Sequence, residues 1–181
     1  IAPQLRSIRQ WRSIFNGPRG MAHELDDGIP TYRWHGTAWL PRIPYANAKL
    51  WVSCGCKLFT QYVKENGMPD ILHAHSLLNA GVLAREISLR YGIPFVVTEH
   101  STAFSRNLVK NWQFGLAQEA AEKASSRIAV SEPFCNLLGN LFQGQGEKWL
   151  YIPNIVSSSF ENEELKVKKL SDGLFSFCNV S

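Results

Sequence analysis

From Ala48 onward the apolar positions alternate between two periods. In "AKLWVSCGCKLFTQYVKENG", Leu50, Trp51, Cys54, Leu58, Phe59, Tyr62 and Val63 recur at steps of three and four, which marks one face of a helix. Gly67 stops that helix, with Pro69 beyond. "DILHAHS" (70–76) then predicts a strand and "LLNAGVLAREISLRYG" (77–92) a helix ending at Gly92. "IPFVVTEH" (93–100) predicts a strand, and "NLVKNWQFGLAQEAAEKAS" (107–125) a helix with Leu108, Trp112, Leu116, Ala120 and Ala124 on one face. "SRIAVS" (126–131) is the next strand, and "EPFCNLLGNLF" (132–142) is a helix with Pro133 in its first turn. "WLYIPN" (149–154) is the last strand of the series. Short strands separated by helices predict βαβ units, hence an α/β domain with an open parallel sheet and helices on both faces.

The flanks read differently. Residues 4–47 are weakly patterned and rich in Arg, Pro and Trp, with Trp11, Trp34 and Trp39 among them. "PTYRWHG" alternates and predicts a short, loosely packed strand, and the rest reads as a surface excursion. After Asn154, "SSSFENEELKVKKLSDG" is polar and linker-like, and "LFSFCNVS" opens a new apolar strand. The expected division is a domain over 1–158, a linker over 159–173 and the first strand of a second domain over 174–181.

Right-handed crossovers put the C-terminal ends of all parallel strands on one edge, and ligands of such sheets bind in the crevice beyond that edge. The strand ends here read "HAHS", "TEHST", "AVSE" and "IPN". Each passes abruptly from apolar to polar, so the sequence predicts one edge on which the polar residues converge.

Composition narrows the function classes. Of 181 residues, 45% are hydrophobic and 19% charged, which excludes a disordered chain. The net charge of +4 permits a phosphorylated ligand or an anionic membrane surface without requiring either. Arg85, Arg90, Arg106, Lys110 and Lys123 are scattered along helices and read as solvated faces, so no nucleic-acid partner is expected. No apolar run approaches the roughly 20 residues of a membrane span. Arg6, Arg9 and Arg12 lack the apolar stretch of a signal peptide. Cys54-Gly55-Cys56 is too tight for C-x-x-C chemistry, and these two with Cys135 and Cys178 are expected as reduced thiols. Walker loops, nucleophile elbows and zinc-finger spacings are missing from the sequence.

Four stretches in order, "PDILHAHSLLNAGVLA", "GIPFVVTEHSTAF", "ASSRIAVSEPFCNLL" and "WLYIPNIVSSSF", resemble the N-terminal half of GT-B glycosyltransferases of family 4. That family reads PD followed by two hydrophobic residues and H-x-H, then G-[IV]-P-hydrophobic-V-x-T-x-H, then AD-x-hydrophobic-x-A-V-S, then hydrophobic-x-P-N-G-V-D. The resemblance runs from Met68 to Ser181, because "LFSFCNVS" is similar to the strand that opens the family's second domain. The chain departs from the pattern at Ile155, where the family has Gly, and at Asn179-Val180-Ser181, where it has Gly-Arg. A first strand with its glycine-rich loop is missing, and "IAP" looks like the end of the second strand. The resemblance therefore implies the Rossmann-like, acceptor-side half of a GT-B fold, cut at both ends and inactive by itself. It further implies retaining transfer of a hexosyl-type group from a nucleotide sugar to a glycan, lipid-linked or small-molecule acceptor. It implies no resident cofactor or metal, a cytoplasmic location with peripheral attachment to the inner face of the membrane left open, and nothing about oligomeric state.

His100 either caps backbone groups at its strand end or, as the resemblance implies, stands over the reacting sugar as the catalytic candidate. An oxocarbenium-like centre forms there while the leaving diphosphate gathers charge, and a fixed imidazole or its backbone carbonyl answers those charges. His73 and His75 are two apart and share a strand face. His73 is expected to be packed and His75 to face substrate. The H-x-H pair also permits the metal site of a barrel-type hydrolase, but "AVSE" and "YIPN" bring no further His or Asp to it. Ser101 and Thr102 either cap the next turn or bind acceptor hydroxyls or phosphate at the opening of a segment leading into a helix. Glu99 is expected on the facing side, as a partner of His100 or an acceptor for sugar hydroxyls. Ser131 and Asn154, at later strand ends, complete the candidate substrate contacts. A non-catalytic carbohydrate- or nucleotide-binding module is the alternative, and an E-x7-E pattern downstream would favour the enzyme.

Overall fold

The computed structural model describes residues 1–7, 17–40, 42–142 and 148–155. The expected linker over 159–173 and strand over 174–181 lie outside the described residues.

The expectation of a surface excursion before residue 47 is corrected. Strands β1 (Ala2–Ser7), β2 (Gly20–Asp26) and β3 (Ile29–Ala38) form a sheet of order β1-β3-β2. β1 runs parallel to β3 and β2 antiparallel to it. "PTYRWHG" lies within the central strand, paired on both sides. The local cause is the two-residue turn Asp27-Gly28, with φ of 49° and 81°. Two positive φ values give the turn whose twist matches flanking antiparallel strands, and Asp-Gly is among the sequences that favour it. Across that hairpin, Arg33 pairs with both Glu24 and Asp26.

Helix α1 (Pro44–Asn66) starts on a proline that pre-sets the first turn and ends before Gly67, at φ 83°. It joins two parts of the molecule. Towards the first sheet, Trp51 Nε1 donates to the Pro3 carbonyl at 2.9 Å, and the Tyr32 hydroxyl donates to Glu65 Oε2 at 2.5 Å. Towards the second, Phe59 packs in a buried cluster with Leu83, Ile87 and Ile93. Gly55 allows the close approach, since a Cβ there would lie 2.3 Å from Leu83 Cδ2.

The second sheet is the expected parallel one. Strands β4 (Leu72–His75), β5 (Phe95–Glu99), β6 (Ser126–Ala129) and β7 (Leu150–Tyr151) pair in sequence order, all parallel. Helices α2 (Val82–Tyr91), α3 (Asn111–Lys123) and α4 (Glu132–Leu141) connect them. Among the described residues β4 pairs with β5 alone. Phe95, Val97 and Ala129 form one core with Leu77, Ala117, Ala120, Ala121 and Leu138. Each large apolar side chain buried there contributes about 1.5–3 kcal/mol. The buried face of α3 is its alanines, which let the helix lie close to its neighbours. Leu108, predicted on that face, precedes the helix and is exposed. No helix among the described residues is long and apolar enough to cross a membrane.

Candidate functional site

The C-terminal ends of β4, β5 and β6 lie side by side, with His75 opposite Thr98 and Glu99 opposite Ala129. His73 and His75 share one face of β4. The expectation that His73 is packed is corrected, because it is exposed, and its Nε2 lies 2.8 Å from Thr98 Oγ1 on the neighbouring strand. His73 and Thr98 belong to the face opposite Phe95 and Val97, so they stand outside the buried cluster. The His73 and His75 ring centroids are 4.4 Å apart, and those of His75 and His100 are 5.9 Å apart and edge-on. Three imidazoles thus form a row along the sheet's polar edge. Packing of the His75 ring pushes its pKa below the ordinary 6.5, and positive charge on His73 or His100 lowers it further. His75 therefore stays neutral near pH 7, with one ring nitrogen to donate and one to accept.

Glu99 is buried, and the expectation that it faces ligand is corrected. It is two residues past Val97 and four past Phe95, so strand alternation turns it to the covered face. Its Oε2 accepts from the Leu77 amide at 2.7 Å and the Ser76 hydroxyl at 3.3 Å, and its Oε1 accepts from the Ser101 amide at 2.8 Å. One carboxyl group thereby ties together the two loops that follow the histidine-bearing strands. The first of these is unusual. "LLNAGVLAREISLRYG" is not one helix. A wide turn over Leu77–Gly81 comes first, closed by the Gly81 amide on the Ser76 carbonyl at 2.9 Å. Ser76 and Asn79 have φ of 83° and 57°, costly for residues with a side chain and characteristic of functional sites. Glu99, together with the Ser76 amide bond to the Thr98 carbonyl at 2.7 Å, holds the turn in this conformation.

Beyond β5 and β6 lies an open cavity of about 440 Å³, lined by His100, Ser101, Thr102, Ser105, Val130, Ser131, Pro133, Phe134 and Leu137. Ser101 and Thr102 do not open a helix. They begin a series of turns over 102–107, in which the Thr102 carbonyl accepts from the Arg106 amide and the Ser105 hydroxyl. Among the described residues Ser101 Oγ is buried without a hydrogen-bond partner beside this cavity. Ser131 caps α4, its Oγ accepting from the Phe134 amide at 3.4 Å. The cap presents the positive end of that helix to the cavity. Asn154 lies past β7, fully on the surface and apart from the cavity lining. Of the predicted 149–154 strand, Leu150 and Tyr151 pair with β6, and the Ile152 amide donates to the Ala129 carbonyl at 3.1 Å. His100, Ser101, Thr102 and Ser131 are thus brought into one cavity with His75 beside it, whereas Glu99 and Asn154 are not.

Among the described residues no three His, Cys, Asp or Glu side chains are grouped to hold a metal ion. Cys54, Cys56 and Cys135 are free, and burial pushes all three thiols above their ordinary pKa, which weakens them as nucleophiles.

The family model described as Glycosyltransferase Family 4 matches residues 19–160, from the hairpin through the last strand of the parallel sheet. The chain belongs to glycosyltransferase family 4. Comparison with curated proteins finds no match. Membership gives this family 4 domain a transferase function in general terms, with a sugar donor and an acceptor as substrates.

Proposed function

We propose that this family 4 domain is the acceptor-side half of a retaining glycosyltransferase, which moves a hexosyl group from a nucleotide sugar to a glycan, lipid-linked or small-molecule hydroxyl. The observation that carries the reading is the histidine row running into a cavity lined by His100, Ser101, Thr102 and Ser131, at the edge where parallel sheets bind ligands.

In this reading His100 lies against the reacting sugar and hydrogen-bonds a hydroxyl that strengthens as positive charge grows at the anomeric carbon. His75, neutral and packed edge-on against His100, fixes that ring's orientation. Ser101 Oγ and Thr102 bind hydroxyls of the sugar or acceptor, and the capped start of α4 favours the negative charge that develops on the departing phosphate. The nucleotide is held by a second domain beginning near residue 174, with basic side chains there rather than a metal balancing the diphosphate. The bond from the anomeric carbon to the phosphate oxygen breaks. A bond to the acceptor oxygen forms on the same face, and the acceptor proton leaves with the nucleoside diphosphate.

The test is His100→Ala in the enzyme that carries this chain. Turnover is expected to fall on the order of 10²–10³-fold, with nucleotide affinity unchanged. An unchanged turnover would refute the role given to His100, and an equal loss of nucleotide affinity would refute the division of labour between the domains.

A further inference from the structure

The most exposed apolar side chains near the start of α1 belong to one short stretch. Trp39 is 64% exposed, Leu40 47%, Ile43 52% and Tyr45 42%. The Ile43 amide bonds back to the Leu40 carbonyl at 3.0 Å, and Asn47 Nδ2 donates to that same oxygen at 2.7 Å. Leu40 and Ile43 are therefore folded onto the tip of the helix, and their side chains are exposed. The loop before α3 meets this tip. Tyr45 and Trp112 pack edge-to-face at 5.5 Å, and Leu108, four residues before Trp112, is 59% exposed.

Charge on this rim has one sign. The stretches 39–50 and 103–114 hold Arg42, Lys49, Arg106 and Lys110 and not one Asp or Glu. All four cations are exposed. Lys49 stands over the Tyr45 ring at 4.7 Å, and none of the four is in an ion pair among the described residues. A groove of about 580 Å³ runs back from the rim between α1, α2 and α3; among the described residues Lys57 lines it together with Arg85 and Arg90, which pair with Glu119 and Glu86.

Exposed Trp, Tyr, Leu and Ile interleaved with unpaired Lys and Arg suit the boundary between headgroups and acyl chains. There the rings and aliphatic side chains enter the apolar layer while the cations meet anionic headgroups. A soluble acidic partner would reward the cations but leave Trp39 and Ile43 without a reason to be exposed. We propose that the rim formed by Trp39, Leu40, residues 42–45 and residues 106–112 docks the protein on an anionic lipid bilayer. The docking rests on this surface and not on the reaction proposed above. The loop 100–110 connects the rim to His100, so docking would bring a membrane-borne acceptor to the cavity's edge.

The test is flotation of the 181-residue chain with vesicles of phosphatidylcholine alone or with roughly 30% phosphatidylglycerol. Binding is expected only to the anionic vesicles, and it is expected to weaken as NaCl rises from about 0.1 to about 0.5 M. R42A/K49A should lower partitioning about 25-fold, or about fivefold per cation. W39A should lower it roughly tenfold and remove most quenching of tryptophan fluorescence by lipids with brominated chains. Circular dichroism checks that the variants are folded. K123A, at the far end of α3, should bind as the parent does. Equal binding to pure phosphatidylcholine would overturn the proposal, as would an equal loss in K123A. Displacement by free inorganic phosphate would place the anion site in the groove instead. A dimer in sedimentation that W39A dissociates, without flotation, would show that a second copy of the chain covers the rim.

Discussion

Replacing Glu99 by Gln isolates the residue that binds the two site loops together. The parent carboxyl accepts three hydrogen bonds inside the protein, two of them from backbone amides. Glutamine of nearly the same shape offers one oxygen, and its other terminal group is a donor. Whichever way the amide turns, either Leu77 or Ser101 has its N–H facing an N–H. A buried donor left without a partner costs about 1–3 kcal/mol, and the lost hydrogen bond about 1 more. The expected destabilisation is therefore about 2–4 kcal/mol. At a urea slope of about 2 kcal/mol/M, the unfolding midpoint drops by about 1–2 M. Amide exchange should locate the effect, with one of Leu77 and Ser101 losing protection while Phe95 and Val97 keep theirs relative to global unfolding. Because Ser76 and Asn79 hold unfavourable φ values, released strain should also shift the resonances of His75. If E99Q unfolds at the parent midpoint with both amides still protected, the carboxyl is not the anchor and the turn at 77–81 is held by something else.

Three further outcomes are expected. The depressed pKa of His75 means that the unfolded chain takes up this proton first as pH falls. Stability should be independent of this group above pH 6.5 and should decline below it as pH passes through the folded-state value. His75→Asn should flatten that slope in denaturation series, and a slope unchanged by the substitution would contradict the assignment. Ser131→Ala removes the cap of α4 and should cost about 1 kcal/mol, visible as a lower thermal midpoint with β5 protection intact. Gly55→Ala drives a methyl group into Leu83 and should cost about 1–3 kcal/mol, whereas G55A/L83A should recover part of it.

The parallel sheet was legible because its strands are buried apolar runs and its helices end on glycine or a polar break. Gly67 and Gly92 stand at helix ends as expected, both with positive φ. The first sheet was missed although "DDG" between two alternating segments carried a hairpin signal. The charged side chains within 19–39 hid the alternation, because Arg33 pairs with Glu24 and Asp26 across the strands rather than meeting solvent. Glu99 was misplaced although its parity with Phe95 and Val97 could be read directly. Chemical type suggested a ligand contact, and strand alternation decided otherwise. The turn at 77–81 was not legible. "LLNAG" has helical composition, and its wide loop exists because a carboxyl group 22 residues later accepts the Leu77 amide. The inward-packed reading of His73 failed for a similar reason. Which face of β4 is covered depends on where α2 and α3 pack, and no local pattern encodes that.

The bridging position of α1 bears on the order in which the molecule assembles. The β2–β3 hairpin joins neighbouring residues through a two-residue turn, an event of microseconds. Each parallel pair from β4 to β7 must instead close a crossover of 19 to 26 residues before its first bond forms, which is slower and entropically costlier. Because α1 anchors on β1 and β3 through Trp51 and Tyr32, and offers Phe59 to Ile87 and Ile93, the early hairpin sheet acts as a platform. It presents the far side of α1 as a template against which the β4–α2–β5 unit condenses. Pulse-labelled exchange during refolding should then protect the amides of β3 and α1 first and those of β6 last.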